Sequence, residues 1–559
     1  MATEIETNEW RVIGPPGCGK TTWLGSQVTR AAEKYGNEKV LVTSLTRTAA
    51  AEVVTRDLPI PAEHISTLHS HAYRALHFPH IAEGKKEIEA WNAEHPTWRM
   101  TVGGMNAIHS GKDDGVFSGL TPGDDALADL NMRRARGLPM EGLRESTRAF
   151  YRLWTGWKTA GDMLDFTDLI EVAAHDAAVA PGAPDAIFVD EAQDHDVLEL
   201  ALIRRWGDPF KGVDRLILVG DPDQNLYQWR GSDPEAWTDV PVPDAQRRVL
   251  AQSYRVPRAV HAAAVRWVEK IPGREPVDYL PRKDAETGET IEGEVRRVSA
   301  SYRQPGALLM DARQYLDAGK SVLFLTTCGY MLNEIVKYLR AEGVLFHNPY
   351  RRTRGDWNPL RYVEGGLGGW QRLLAYLRPD VDTWGDQARD WTLADLMDWS
   401  EALARVFKRG VKTKLEEAME YEYGDTVQPW EMDEWFQGDH GLQAYDVMTG
   451  NLEWFSGQLK ASAKRGMAYP LEIVRKHGGA ALRDDPKVMV GTVHSVKGGE
   501  ADVVYLFPDL SFSGAQEWVM AGAGRAAIRR QMYVGMTRAR ETLVVGAAAF
   551  PKRSVRLLG

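Results

Sequence analysis

Two groups of residues in this chain are spaced to handle a triphosphate. The first is Gly14-Pro15-Pro16-Gly17-Cys18-Gly19-Lys20-Thr21, followed by Thr22, which fits GxxxxGK[ST]. Its glycines let backbone N–H groups turn inward on a phosphate, Lys20 adds a point charge, and Thr21 offers a hydroxyl to Mg²⁺. The second group is Asp190-Glu191, which closes the apolar run Ile187-Phe188-Val189. One carboxylate suits Mg²⁺ and the next suits the proton of an attacking water. A site that only bound the nucleotide would not need the second acid, so the pair points to hydrolysis.

These groups need elements that hold them in place. Val12-Ile13 before the glycines and Trp23-Leu24 with Val28 after them predict a strand, a turn and a helix start. The helix N-terminus adds its own partial positive charge. Val40–Thr43, a helix over 48–58, and Ile65–His69 continue the strand–helix alternation of a parallel sheet. Ile187–Glu191 and Leu216–Asp221 are apolar runs ending in acids, which should meet Lys20 at the carboxyl edge of that sheet. Between His69 and Ile187, residues 76–150 are loop-rich (Gly103, Gly104, Gly111, Gly115, Gly119 and Gly123) and read as an inserted subdomain. A second α/β unit is predicted from Val322–Leu325, Val488–Val490, Val503–Leu506 and Leu543–Val545. Its own insert, 351–484, reads as mainly helical and is rich in tryptophan, including Trp357, Trp384, Trp399 and Trp435.

Composition narrows the class. A chain of 559 residues implies several domains, and 43% hydrophobic with 26% charged residues is the balance of a soluble globular protein. No run approaches the roughly 18 apolar residues needed to span a bilayer. Two cysteines, Cys18 and Cys328, exclude a disulfide framework and suit a reducing cytoplasm. A net charge of −10 argues against a protein that coats nucleic acid, but leaves room for a local basic groove. The crowd of His64, His69, His71, His77 and His80 lacks the acids and spacing of a metal centre.

The ordered motifs resemble those of the UvrD/Rep/PcrA-type superfamily 1 DNA helicases. Val189–Asp194, Gly220–Gly231 and Gln252-Ser253-Tyr254-Arg255 resemble motifs II, III and IV. Leu45–Ala50 resembles motif Ia, Ser66–Ser70 motif Ib, and Asp165–Leu169 the segment before motif II. Gly491–Glu500 resembles motif V and Tyr533–Ala539 motif VI, so the resemblance spans nearly the whole chain.

The resemblance implies two RecA-like cores of parallel sheet, each interrupted by a mainly helical insert. The first core would be 1–75 with 151–240 around the insert 76–150; the second would be 241–350 with 485–559 around the insert 351–484. It implies ATP and Mg²⁺, the metal held by Thr21 and Asp190, with Lys20, Glu191, Gln224, Arg255 and Arg538 as the catalytic set. Arg255 and Arg538 would lie on the second core, across a cleft from Lys20. Such arginines typically contribute about 10³–10⁵ in rate. Tyr254 would stack on adenine and Glu500 would accept from a ribose hydroxyl. Single-stranded and tailed duplex DNA would be the partners, tracked 3′→5′ and met by Thr43, Thr67, His69, Tyr227, Trp229, Arg230, Thr492 and His494. Trp229 would stack a base.

This chain departs from the family at three places. No Gln stands in the 13 residues before Gly14, and Thr22 replaces an arginine that stacks on the base, so adenine selectivity should be loose. Leu45 replaces a stacking aromatic in motif Ia. The sequence ends about 20 residues after motif VI, so no C-terminal nuclease is expected. Two other readings remain open: an RNA-acting relative, and a DNA-stimulated ATPase that remodels partners without unwinding duplex.

Overall fold

The computed structural model describes residues 7–45, 58–102, 121–352, 354–360, 370, 371, 373, 391–422, 426, 427, 429–439 and 452–558. The helix expected over 48–58, motif Ia beyond Leu45, Gly103 to Gly119 and Trp384 lie outside that set, apart from Leu58. Two compact units are formed. One comprises Met1–Tyr302, Val322–Met331 and Gly491–Gly559; the other comprises Arg303–Ser321 and Leu332–Val490.

The first sheet is built from β1 (Glu9–Ile13), β2 (Val40–Ser44), β3 (Ile65–Thr67), β6 (Ala186–Val189), β7 (Arg215–Gly220) and β8 (Arg247–Val249). Between β3 and β6, two short strands, β4 (His80–Ile81) and β5 (Met163–Leu164), pair in parallel by themselves. The large sheet has the order β3-β2-β6-β7-β1-β8 and is parallel throughout. Its inner strands β2, β6 and β7 read as nearly continuous apolar runs because helices cover both faces. One face packs Leu24, Val28 and Phe188, the other Leu41, Ile187 and Leu218. The register pairs Ile13 with Gly220 and Thr43 with Val189, so Gly14, Ser44, Asp190 and Asp221 leave the sheet along one edge.

In the same unit a second parallel set follows the order β10 (Val322–Thr326), β15 (Ala501–Leu506), β16 (Ala539–Val545) and β9 (Glu294–Arg297). In the other unit β11 (Phe346–His347) pairs in parallel with the start of β14 (Val488–Thr492), and β12 (Trp391–Thr392) runs antiparallel to β13 (Thr426–Val427). That unit is otherwise helical, with helices such as Pro305–Asp317, Asn333–Ala341, Leu393–Ala402 and Ala461–His477. Among the described residues no helix is long and apolar enough to cross a membrane.

The mixed α/β class with parallel sheets is as expected, but two strands differ from the sequence reading. β8 falls in the stretch assigned to the second core, yet it pairs with β1 through Arg11–Arg247 to Ile13–Val249. β9, Glu-Val-Arg-Arg, carries no apolar alternation and is an edge strand beside β16, where a charged sequence is tolerated.

The insert after β3 has its own core. Helices Lys85–Glu94, Pro122–Ala135 and Glu145–Ala160 enclose Trp91, Phe150 and Trp154, all at 0% exposure. The third helix runs past residue 150, and β5 brings the chain back only at Leu164. A buried charge cluster then joins insert to sheet. Asp165, the N-cap of helix Phe166–Asp176, accepts from Arg134 Nη1 at 3.1 Å, Lys158 Nζ at 2.5 Å and Trp154 Nε1 at 3.0 Å. Arg134 also reaches Asp168 and Glu171, both at 2.5 Å. Burial alone would raise the Asp165 carboxyl, but Arg134 and Lys158 outweigh it and hold it below the usual carboxylate range.

Asp165→Ala leaves two buried cations without their shared anion, and should destabilise this unit by about 3–5 kcal/mol, read as a lower urea midpoint. Because the folded pKa lies below the unfolded one, the wild-type advantage is complete above the unfolded carboxylate pKa. It declines as pH falls towards the folded value, and urea titrations at pH 7 and pH 3 should show the gap between wild type and variant closing.

Candidate active site

The glycine-rich turn starts where β1 and β7 end together. Gly14 N–H donates to the Gly220 carbonyl at 3.0 Å, which sets the turn beside Asp221. Gly17 and Gly19 have φ of 75° and 72°, the left-handed region in which a side chain is strained. A Cβ at Gly17 would also stand 2.5 Å from Arg255 Cβ and 2.8 Å from Ser253 Oγ. Helix Lys20–Tyr35 begins immediately after, and Lys20 Nζ donates to the Gly14 carbonyl at 2.8 Å across the mouth of the turn. Pro15 and Pro16 are buried, Thr21 is half-buried and Thr22 is exposed. The Pro16 carbonyl accepts from Ser253 Oγ and from Tyr279 Oη, both at 3.0 Å, and Tyr254 N–H donates to the Gly17 carbonyl at 2.8 Å. Burial pushes the Cys18 thiol up to about 12.

The acids stand at the same edge. Asp190 N–H donates to the Thr43 carbonyl at 2.9 Å, continuing the ladder one residue past β6. Glu191 adopts φ 51°, which turns the chain out of the strand. Its Oε2 accepts from Gln193 Nε2 at 2.6 Å and lies 3.8 Å from Lys497 Nζ; Lys497 also pairs with Asp194. Burial would raise the Glu191 carboxyl, but Lys497 and then Lys20 outweigh it and bring it to about 2. Glu191 is therefore ionised at neutral pH. Burial brings the Lys497 ammonium down to about 8, against the pull of Glu191.

Thr21 and Asp190 supply a hydroxyl and one carboxylate, hard oxygen donors of the kind that share Mg²⁺ with substrate phosphates. Asp190 is 4% exposed at the mouth of the turn, so this donor set fits that ion.

The second sheet contributes from its amino edge. Glu500 and Arg538 directly precede β15 and β16, and Ala501 N–H donates to the Arg538 carbonyl at 3.0 Å. Arg538 is 1% exposed; its Nε donates to the Val534 carbonyl at 2.9 Å and its Nη2 to Gln224 Oε1 at 3.2 Å. Gln224 Nε2 in turn donates to Asp221 Oδ2 at 2.7 Å. Burial and the charge of Asp223 push Asp221 up to about 7.

Arg255 corrects an expectation. It was assigned to the second core, but it follows β8 and sits against Gly17 on the side of the first sheet, because β8 pairs with β1. Only its guanidinium reaches over, donating from Nε to Glu500 Oε2 at 2.6 Å. Glu500, expected to meet a ribose hydroxyl, is thus engaged by Arg255 and by Arg540 at 3.4 Å. Tyr254 is 72% exposed with its ring 3.6 Å from a Cβ placed on Gly19, an open face suited to a flat base.

The residues expected on a nucleic-acid track divide. His69, Trp229 and Arg230 are half-buried near the surface. Trp229 packs on the tryptophan core of the insert, and its ring centroid is 6.3 Å from that of Tyr227. Tyr227 and His494 are buried with ring centroids 6.2 Å apart, and His494 Nε2 lies 3.2 Å from the Leu226 carbonyl. Thr43 and Thr492 differ from expectation. Thr43 is 1% exposed inside β2, between β3 and β6; Thr492 is 0% exposed, and its hydroxyl accepts from Ser495 N–H at 3.2 Å. Thr67 caps helix Leu68–Ala75 by accepting from Ser70 N–H at 3.3 Å. The histidine crowd is partly structural: His64 Nδ1 and His71 Nε2 lie 3.1 and 3.0 Å from the Val40 and Val42 carbonyls.

Sequence reasoning gave no role to Lys497, Gln193, Ser253 or Tyr279. The first three lie inside quoted motifs: Lys497 and Gln193 meet the acids, and Ser253 meets the turn. Tyr279 lies outside every motif and carries no such signal.

Residues 1–230 match the family described as AAA domain. The chain is similar to the putative ATP-dependent DNA helicase YjcD of Bacillus subtilis, 24% identical with 96% of this chain and 76% of that protein covered. It is similar to ATP-dependent DNA helicase UvrD2 of Mycobacterium bovis, 23% identical over 96% of this chain and 76% of that protein. With ATP-dependent DNA helicase UvrD1 of Mycobacterium leprae it shares 24% identity over 73% of this chain and 56% of that protein.

His69 gives a pH expectation. Burial lowers its pKa to about 4, Glu199 opposing and Arg230 assisting. An NMR titration of the imidazole should show a midpoint near that value. The unfolded chain takes up this proton near 6.5, so its contribution to stability is complete above 6.5 and is lost as pH falls towards 4.

Proposed function

With the chain a UvrD-like superfamily 1 protein, we propose that it is an ATP-dependent DNA helicase or translocase that steps 3′→5′ along single-stranded DNA. The observation that carries the reading is the line Asp221–Gln224–Arg538. It runs from the edge of one sheet to the amino edge of the other, at 2.7 and 3.2 Å, immediately before Tyr227, Trp229 and Arg230. A group that senses the terminal phosphate there is three to six residues from the proposed track.

In this reading Lys20 and the turn's N–H groups bind the phosphates, and Glu191, ionised and aimed by Gln193 and Lys497, takes the proton of the attacking water. Arg255 and Arg538 offset charge that develops on the transferred phosphoryl group. Mg²⁺, held when bound by Thr21 and Asp190, supplies further charge neutralisation at the phosphates. Gln224 passes the change to the segment that ends in Arg230, and Trp229 offers a face to a base; such stacking is worth about 1–3 kcal/mol per base. Single-stranded and tailed duplex DNA are the substrates.

Lys20→Ala and Glu191→Gln should each reduce steady-state ATP hydrolysis at least a hundredfold, with a fluorescent ATP analogue still retained by the Glu191 variant. Normal turnover in either would overturn the assignment. Unwinding of a 3′-tailed DNA duplex, set beside 5′-tailed and RNA duplexes, tests polarity and track. DNA-stimulated ATPase with no strand separation on any of them would favour a remodeller instead. Because the face of Tyr254 is open and Thr22 is a small exposed residue, GTP should be hydrolysed within about tenfold of ATP; a rate below a hundredth would reject that.

A further inference from the structure

Helix Val197–Trp206 starts with a capping box. The N-cap Asp196 accepts from Glu199 N–H at 2.8 Å, and Glu199 Oε2 accepts from Asp196 N–H at 3.2 Å. Glutamate is almost never fully buried unless it is paired. Here it is 2% exposed, and its two oxygens do different work. Oε2 serves the cap and lies 3.0 Å from His195 Nδ1. Oε1 points the other way, accepting from Arg230 Nη2 at 3.0 Å with His69 Nδ1 at 3.6 Å. Burial would raise this carboxyl, but Arg230 and His195 outweigh it and hold it below the usual range, so the acceptor is an anion.

We infer that Glu199 is a positioning residue for the nucleic-acid track, its Oε1 fixing the Arg230 guanidinium in one orientation. The inference rests on the proposed reading of Arg230 as a phosphate contact. Arg230 lies 31 residues along the chain from this carboxylate, so their bond is a tertiary contact and not part of the cap. A guanidinium presents its donors in a rigid plane, so fixing one edge on Glu199 directs the remaining N–H groups. The side chain of Arg230 is 13% exposed, which leaves a small face for a phosphate and little freedom to find it unaided. Preorganisation of this kind lowers the ordering cost of binding.

The experiment uses the full chain and a fluorescent oligothymidylate, with dissociation constants measured over a range of salt. Glu199→Gln is the informative variant, since glutamine also completes a capping box but has only one acceptor oxygen for the two tasks. Expected is a weakening of at least fivefold for Glu199→Gln and for Arg230→Ala. The salt slope should be shallower by about 0.7 in both, the loss of one phosphate contact on a single strand. The double variant should be no weaker than Arg230→Ala alone. A carboxylate that only supports the fold would leave the salt slope unchanged, and that result overturns the inference, as does full additivity. If Arg230→Ala itself has no effect, the reading of Arg230 as a track contact fails and the inference falls with it. If Arg230→Ala weakens binding and Glu199→Gln does not, the inference alone fails. Arg230→Lys, which needs no change at Glu199, keeps the charge without the planar fork. It should bind as weakly as Arg230→Ala, and wild-type affinity would overturn the positioning role.

Discussion

One backbone bond sets the geometry of the site: Gly14 N–H to the Gly220 carbonyl, at 3.0 Å. It makes β1 and β7 end level, so the glycine-rich turn leaves the sheet beside the chain that runs through Asp221 to Gln224. It extends the β1–β7 ladder by one residue, so the turn proposed to bind phosphate starts beside the segment that carries Gln224. The parallel order β2-β6-β7-β1 then brings Asp190 to the same edge. Ligands of open parallel sheets collect at this edge because the strands end there and the helix N-termini point at it.

The site concentrates charge where water is scarce, and that works only because the charges are matched. Glu191 would be raised by its burial and is instead held near 2 by Lys497 and Lys20. Lys497 is itself lowered by burial, and Asp194 and Glu191 face it. Asp221 has fewer positive neighbours and rises to about 7. Removing one member of such a group costs more than the pair contributes, because the remaining charge stays buried. The cluster of Asp165, Arg134 and Lys158 follows the same rule away from the chemistry.

The parallel strands were legible because each contains an apolar run: β2, β6, β7, β10 and β15 lie where the pattern put them. β8 and β9 were not. Arg-Arg-Val and Glu-Val-Arg-Arg lie at sheet edges, where one side needs no apolar partner and the pattern vanishes. Missing β8 is what misplaced Arg255, since its position follows from the strand before it. At the site, residue types and spacing identified which residues gather at the phosphate end. They could not say that Thr43 and Thr492 face inward, because alternation is silent on strands buried on both faces. Glu199 was hidden for another reason: Asp-Val-Leu-Glu is a sufficient helix start, and its second use depends on chain segments distant in sequence.

Cys18 occupies a position where a reactive thiol would be a hazard, in the middle of the phosphate-binding turn. Burial keeps it protonated, with about one part in 10⁵ as thiolate at pH 7 given a pKa near 12. The sulfur is also turned towards the Ala251 carbonyl, at 3.6 Å. The turn is therefore insulated from electrophiles and peroxide without giving up the cysteine. Oxidants that attack exposed thiolates should react slowly with this turn.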